Sequence, residues 1–233
     1  MINIILTSMD KYAYLLISIF LSFIWVAIFI KRRDLQRQLI QTSIIGGFAG
    51  LIAEHWYFRD YWRPPSLLGT SVISIEDFLF GFFITGIAAT IYDSLFMKEN
   101  NVKEEKKRKR FFGILFILGV ISLLIFNTWL GVNSIFVSSF IFLIISVVII
   151  HVRKDLLAKS VISGLLTMLI IIPIYAIIFN IISPDYISKY FLLTSTRLGT
   201  TILGNIPLTE LLWYFSWGCL AGIGYDFVFG KRK

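Results

Sequence analysis

Long apolar runs alternate with short polar segments along the whole chain, and the spacing is that of a membrane rather than of a soluble fold. Runs at roughly 12–30, 39–57, 77–97, 111–130, 134–152, 160–182 and 206–229 each lie near the length that a helix needs to cross a hydrocarbon core of about 30 Å. The pattern therefore predicts seven transmembrane helices. Composition points the same way. The chain has 233 residues, 57% of them hydrophobic and 15% charged, with a mean hydropathy of +0.81. A soluble domain of this size buries only part of the surface it owns and could not hide so much apolar area. The first run is followed by the basic "KRRDLQR" and carries no cleavage-type site, so it is expected to stay as a span.

Charge then orients the spans. The formal net charge is +8, but most basic residues cluster in alternate connections: Lys31 to Arg37, Lys98 to Arg110, Arg153 to Lys159, and Lys231 to Lys233. That asymmetry predicts an N-out, C-in arrangement in the cytoplasmic (plasma) membrane, and it makes nucleic acid an unexpected partner. The run "KEEKKRKR" (103–110) reads chiefly as a topology signal, with contact to anionic lipid as the alternative. A single cysteine, Cys219, lies in an apolar run and reads as a packing residue, so neither a disulfide framework nor a thiolate metal site is expected.

Two parts of the chain resemble each other. "RRDLQRQLIQTSIIGG" (32–47) lines up with "VRKDLLAKSVISGLLT" (152–167) when Asp34 is set against Asp155. "IEDFLFGFFITGIAATIYD" (75–93) lines up with "LTELLWYFSWGCLAGIGYD" (208–226), setting Asp77 against Glu210 and Asp93 against Asp226. The expected fold is an all-α membrane protein with a rhodopsin-like three-plus-one-plus-three plan. Residues 1–99 form one three-helix repeat, 100–131 a basic loop and linking helix, and 132–233 the second repeat, with the two related by an axis along the membrane normal.

Charged groups inside spans are costly and usually face an interior cavity, so each is a functional candidate. Glu54 and His55 end the second span, Glu76 and Asp77 open the third, and Glu210 opens the seventh. A carboxylate in a first helical turn also meets free N–H groups and the positive end of the dipole, which is a purely structural use. Asp93 and Asp226 lie sixteen residues further on, and read as helix-end anchors for basic partners. Two histidines and no aspartate-rich run leave neither a metal nor a cofactor expected, and neither a GxGxxG nor a GxSxG motif is present. The aromatic cluster "HWYFRDYW" (55–62), Phe80, and Trp213 with Trp217 on one helical face are candidates for lining an apolar pocket. An interfacial aromatic belt is the alternative for Trp56 and its neighbours. The pairs Gly46/Gly50 and Gly218/Gly222 read as helix-packing surfaces.

These residues resemble the membrane-integral, flavin-free lycopene cyclases of the two-part type. Their short three-span repeats each carry an acidic Pro-x-Glu-Glu/Asp motif followed by aromatics. Here the motif reads Ser74-Ile75-Glu76-Asp77 in the first half, without the proline, and Pro207-Leu208-Thr209-Glu210 in the second, without the first acid. The resemblance implies redox-neutral, acid-catalysed ring closure of a linear polyene. One carboxyl group must hold a proton, which apolar burial and a neighbouring carboxylate favour. Glu76 or Asp77 would be the acid, and Glu210 or Glu54 the base or cation stabiliser. His55, Trp56, Phe80, Trp213 and Trp217 would contact the polyene or isoprenoid ligand. Membrane lipid and a second copy of the chain are the other expected partners. The same plan suits a small transporter with the acids as proton-coupling sites, or a non-catalytic carotenoid-binding relative. A retinal-binding role is disfavoured because 206–229 contains no lysine.

Overall fold

The computed structural model describes residues 2–67, 69, 72–97, 103–104 and 106–232; the expected boundary between residues 99 and 100 lies outside them. The chain is mostly helical. Its helices are α1 (Ile2–Lys31), α2 (Gln36–Asp60), α3 (Ile75–Phe96), α4 (Lys109–Leu123), α5 (Ser134–Val152), α6 (Leu157–Ile177), a short α7 (Tyr186–Tyr190) and α8 (Leu208–Phe229). α4 and α6 each end in a wider π turn, Leu124–Trp129 and Ile178–Ile182.

Among the described residues, five helices are long and apolar enough to cross a membrane: Met9–Lys31, Ile75–Phe96, Lys109–Trp129, Ser134–Val152 and Lys154–Ile182. α2 and α8 fall outside this set although the sequence pattern predicts spans there. Their hydropathy is lowered by polar side chains that the fold turns inward, among them Gln38 and Glu54 on α2 and Glu210 and Asp226 on α8, all buried.

α2 packs on α3, and α6 on α8, through glycines. A Cβ on Gly46 would collide with Thr85 and the carbonyl of Gly81, and one on Gly218 would meet Gly164 and Thr167. Small residues of this kind let membrane helices approach to backbone contact. The helix α1 packs against α3, and α3 in turn meets α6 and α8. α4, by contrast, is the least covered helix: Phe112, Leu115 and Gly119 pack toward α5 and α8, while Ile114, Phe116, Ile117, Leu118 and Ile121 are exposed.

Two tight turns are built alike. Before α2, the turn Arg33–Leu35 is closed by Leu35 N–H to Arg32 O at 3.0 Å, with Arg32 paired to Asp34 at 2.8 Å. Before α6, the turn Lys154–Leu156 is closed by Leu156 N–H to Arg153 O at 3.0 Å, with Arg153 paired to Asp155 at 2.6 Å. At this same end of the bundle, Lys159 on α6 bridges Asp93 on α3 (2.8 Å) and Asp226 on α8 (2.6 Å), all three buried. The two aspartates at matching sequence positions thus share one cation. Cys219 is buried against Gly164 and packs as a small side chain.

Candidate active site

Local capping places Asp77. Ser74 is the N-cap of α3: its hydroxyl accepts from the Asp77 N–H at 3.3 Å, while Asp77 Oδ2 accepts from the Ser74 N–H at 2.7 Å and from its hydroxyl at 2.9 Å. This reciprocal box satisfies helix-start donors that would otherwise be orphaned. It leaves Asp77 Oδ1 buried and without a hydrogen bond, in the wall of a cavity of about 100 Å³. Such a cavity is several times the space one ordered water needs.

Adjacent positions on a helix point about 100° apart, so Glu76 and Asp77 part company. Glu76 turns to the preceding loop, where its Oε1 accepts the Leu67 N–H at 2.6 Å, and it does not line the cavity. The expectation of two neighbouring acids sharing one site is replaced by a division of labour, with Glu76 holding the loop and Asp77 facing the hollow.

α2 contributes Glu54, Tyr57 and Tyr61, which follow one another along one face and all line the cavity. Glu54 Oε2 accepts from the Trp62 indole N–H at 3.2 Å, and its Oε1 is buried without a hydrogen bond. His55 is exposed, and neither it nor the half-buried Trp56 reaches the cavity. From α8 come Glu210, Trp213, Tyr214 and Trp217, again one helical face. Glu210 Oε1 accepts from the Tyr61 hydroxyl at 2.7 Å and Oε2 from the Tyr175 hydroxyl at 2.8 Å. The Tyr175 hydroxyl lies 2.6 Å from that of Tyr214. Glu210 is therefore clamped at both oxygens, whereas Glu54 and Asp77 each keep one oxygen unengaged.

The far wall is aromatic. Trp213 and Trp217 lie parallel within 18°, their ring centroids 6.0 Å apart, and Phe142 sits 4.8 Å from Trp217. Trp213 donates its N–H to Tyr57 at 2.8 Å. Phe80 closes on Tyr14 (5.5 Å) and Tyr214 (6.1 Å). The lining on α2 extends from Gly46 to Tyr61, about 22 Å of helix axis at 1.5 Å per residue. The hollow is thus an elongated groove, with Glu210 held by Tyr61 at its acidic end and Glu54 midway along it.

The acidic end is closed by chain from the α6–α8 connection. Trp62 pairs with Phe191 in an isolated bridge, Arg63 N–H donates to Tyr190 O and Leu192 N–H to Tyr61 O, both at 2.8 Å. This pairing fixes Tyr61 and Trp62, the donors to Glu210 and Glu54.

Sequence reasoning singled out Glu54, Asp77, Phe80, Glu210, Trp213 and Trp217, and the structure brings all six to one cavity. It missed the Tyr14 ring and the hydroxyls of Tyr57, Tyr61, Tyr175 and Tyr214. Tyr214 carried a signal, since it lies one helical turn after Glu210 on the same face. Tyr175 lies inside an apolar run and had none. Among the described residues no group of three His, Cys, Asp or Glu side chains is placed to hold a metal ion.

Residues 133–228 match the family model described as lycopene cyclase. The matched stretch contains α5, α6 and α8, hence Tyr175, Glu210 and both groove tryptophans. No curated protein and no solved structure matches the chain significantly. The match supports a lycopene cyclase family and a carotenoid-cyclase type of function, and together with the apolar helices it marks a membrane protein.

Proposed function

We propose that the chain is an intramolecular cyclase that closes a ring at the end of a linear, lycopene-like polyene within the membrane. One observation carries this reading: carboxylates from α2, α3 and α8 line one cavity whose other lining residues are mainly aromatic and apolar. A polyene offers nothing to hydrogen-bond along its length, so a groove that holds it must be apolar except where the chemistry occurs.

The reaction balances without a redox partner. An acid adds a proton to the terminal carbon–carbon double bond. The resulting cation is attacked by an internal double bond, which forms the ring bond and moves the positive charge onto the ring. A base then removes a proton from a carbon next to that charge, so the product is an isomer of the substrate. Asp77, which lines the cavity, delivers the proton, and Glu54 beside it replenishes that proton or takes up the one released. Glu210, held by Tyr61 and Tyr175, is the fixed negative charge facing the cation. The faces of Phe80, Trp213, Tyr214 and Trp217 supply further cation stabilisation, worth about 2 kcal/mol or more each where water is excluded.

The architecture we propose around this site is seven membrane-crossing helices, α1–α6 and α8, as two three-helix units joined by α4, N-terminus outside. The matching turns at Arg32–Leu35 and Arg153–Leu156 and the shared Lys159 support a repeat. The acidic groove end then lies toward the outer face of the cytoplasmic membrane.

The test uses purified protein in nanodiscs with lycopene in deuterated water. The expected product is a cyclic carotene carrying deuterium in the new ring, formed without added oxidant or reductant. A cyclic product free of deuterium would contradict acid catalysis.

A further inference from the structure

The groove accounts for the acids and aromatics but not for the basic run 103–110, which contains six basic and two acidic residues. Where alternate connections are basic, membrane topology explains the presence of cations. It does not explain a cleft. Residues 106–110, with Phe111 and Val152, surround an open cleft of about 590 Å³ between the start of α4 and the end of α5.

The cleft is held in shape. Arg108 N–H donates to Val228 O at 3.2 Å, and the Arg108 guanidinium donates to Lys106 O at 2.9 Å. Arg108 lies 5.5 Å from the centre of the Phe227 ring, and Lys109 lies 5.0 Å from that of Phe229. The end of α8 thereby fixes two of the five cations, while Lys106, Lys107 and Arg110 are exposed. Among the described residues none of the five forms a salt bridge with a carboxylate. Five like charges collected in one cleft repel one another, and an anion seated among them relieves that repulsion.

Position selects the anion. The cations sit at the first turn of α4, whose following turns expose Ile114, Phe116, Ile117 and Leu118, and Phe111 and Val152 put apolar surface on the cleft itself. We infer that this cleft binds the phosphate headgroup of an anionic phospholipid, with its acyl chains lying along the uncovered surface of α4. The inference does not depend on the cyclase reading. It makes a surface lipid a specific ligand of the linking helix.

The test is native mass spectrometry of the full-length protein released from micelles containing equal amounts of phosphatidylglycerol and phosphatidylcholine. The variant Lys106→Gln/Lys107→Gln/Arg110→Gln runs beside the wild type, leaving Arg108 and Lys109 on their rings. A charge-retaining variant, Lys106→Arg/Lys107→Arg/Arg110→Lys, controls for shape. Phosphatidylglycerol adducts should exceed phosphatidylcholine adducts by at least about tenfold in the wild type and the charge-retaining protein. The glutamine variant should lose that preference, since each cation removed is worth about 5-fold, the equivalent of about 1 kcal/mol per basic residue near an anionic surface. Equal adducts of the two lipids would overturn the inference, as would a preference unchanged in the glutamine variant. Displacement of phosphatidylglycerol by millimolar inorganic phosphate would instead identify a soluble-anion site and would also overturn it.

Discussion

Tyr61 at the C-cap of α2 and Glu210 on α8, 149 residues apart in the chain, are joined by a buried 2.7 Å hydrogen bond, and Tyr175 on α6 completes the clamp at 2.8 Å. A carboxylate held at both oxygens cannot swing toward or away from the groove. Its charge is fixed where the proposed cation forms, which is how preorganised groups lower a barrier.

Removing either hydroxyl should therefore slow turnover without dismantling the protein. A hydrogen bond to a charged group contributes about 1.5–3 kcal/mol. Tyr61→Phe and Tyr175→Phe should each lower the cyclisation rate roughly 10- to 100-fold, measured as product per minute in nanodiscs. The protein should still accumulate in the membrane, with an unfolding temperature lowered by the loss of one buried hydrogen bond. Unchanged rates in both variants would show that the clamp has no part in the chemistry.

The two adjacent acids should separate cleanly. Asp77 lines the cavity and its buried Oδ1 has no hydrogen bond, while Glu76 accepts a loop N–H. Asp77→Asn keeps an acceptor for Ser74 but has no proton to give, so ring closure should fall below detection. Glu76→Gln still accepts from Leu67 and should keep most of its activity. The reverse ranking, read by chromatography of the carotenes, would move the acid to Glu76.

The bridge at the opposite end should act on stability alone. Lys159→Met leaves Asp93 and Asp226 buried together without their shared cation, and breaking a buried ion pair from one side costs about 3–5 kcal/mol. A large drop in the unfolding temperature in detergent is expected. The triple variant Lys159→Met/Asp93→Asn/Asp226→Asn should recover much of it. No drop in the single variant would mean that the bridge carries little energy.

Close helix packing gives a further check. Gly81→Leu would drive a side chain into the carbonyl of Gly46, so the protein should fail to accumulate in the membrane. Gly113→Leu on the uncovered α4 meets nothing within 4 Å and should accumulate normally. Equal levels of both, by immunoblot of the membrane fraction, would contradict the α2–α3 contact.

Much of this site was legible in the sequence because charge inside an apolar run is so rare that each acid stands out. Glu54, Asp77 and Glu210 could be picked by that signal alone, and Trp213 and Trp217 by their spacing of one helical turn. The tyrosines were not legible, since a tyrosine among isoleucines is unremarkable until a carboxylate from another helix reaches its hydroxyl. Tyr175 meets Glu210 only because α6 and α8 pack together through Gly164 and Gly218. Glu76 illustrates the opposite error. Its neighbour Asp77 made a pair in sequence, and helical rotation took the pair apart. Lys159, counted among basic connection residues, proved to be buried between two aspartates that only the three-dimensional arrangement brings together.

The hydropathy of α2 and α8 carries a related lesson. Polar groups that furnish the groove and the Lys159 bridge lower the apolar signal of the very helices that build them. α5, the most apolar of the candidate spans, supplies only two apolar residues to the groove, Ile135 and Phe142, and α4 supplies none.

The most direct measurement is expression of the wild type and of Asp77→Asn in a bacterium that accumulates lycopene, with the pigments separated by chromatography. The account predicts cyclic carotenes from the wild type and lycopene alone from the variant, at equal levels of protein in the membrane. Lycopene left unchanged by a wild-type protein shown to be folded in the membrane would contradict it.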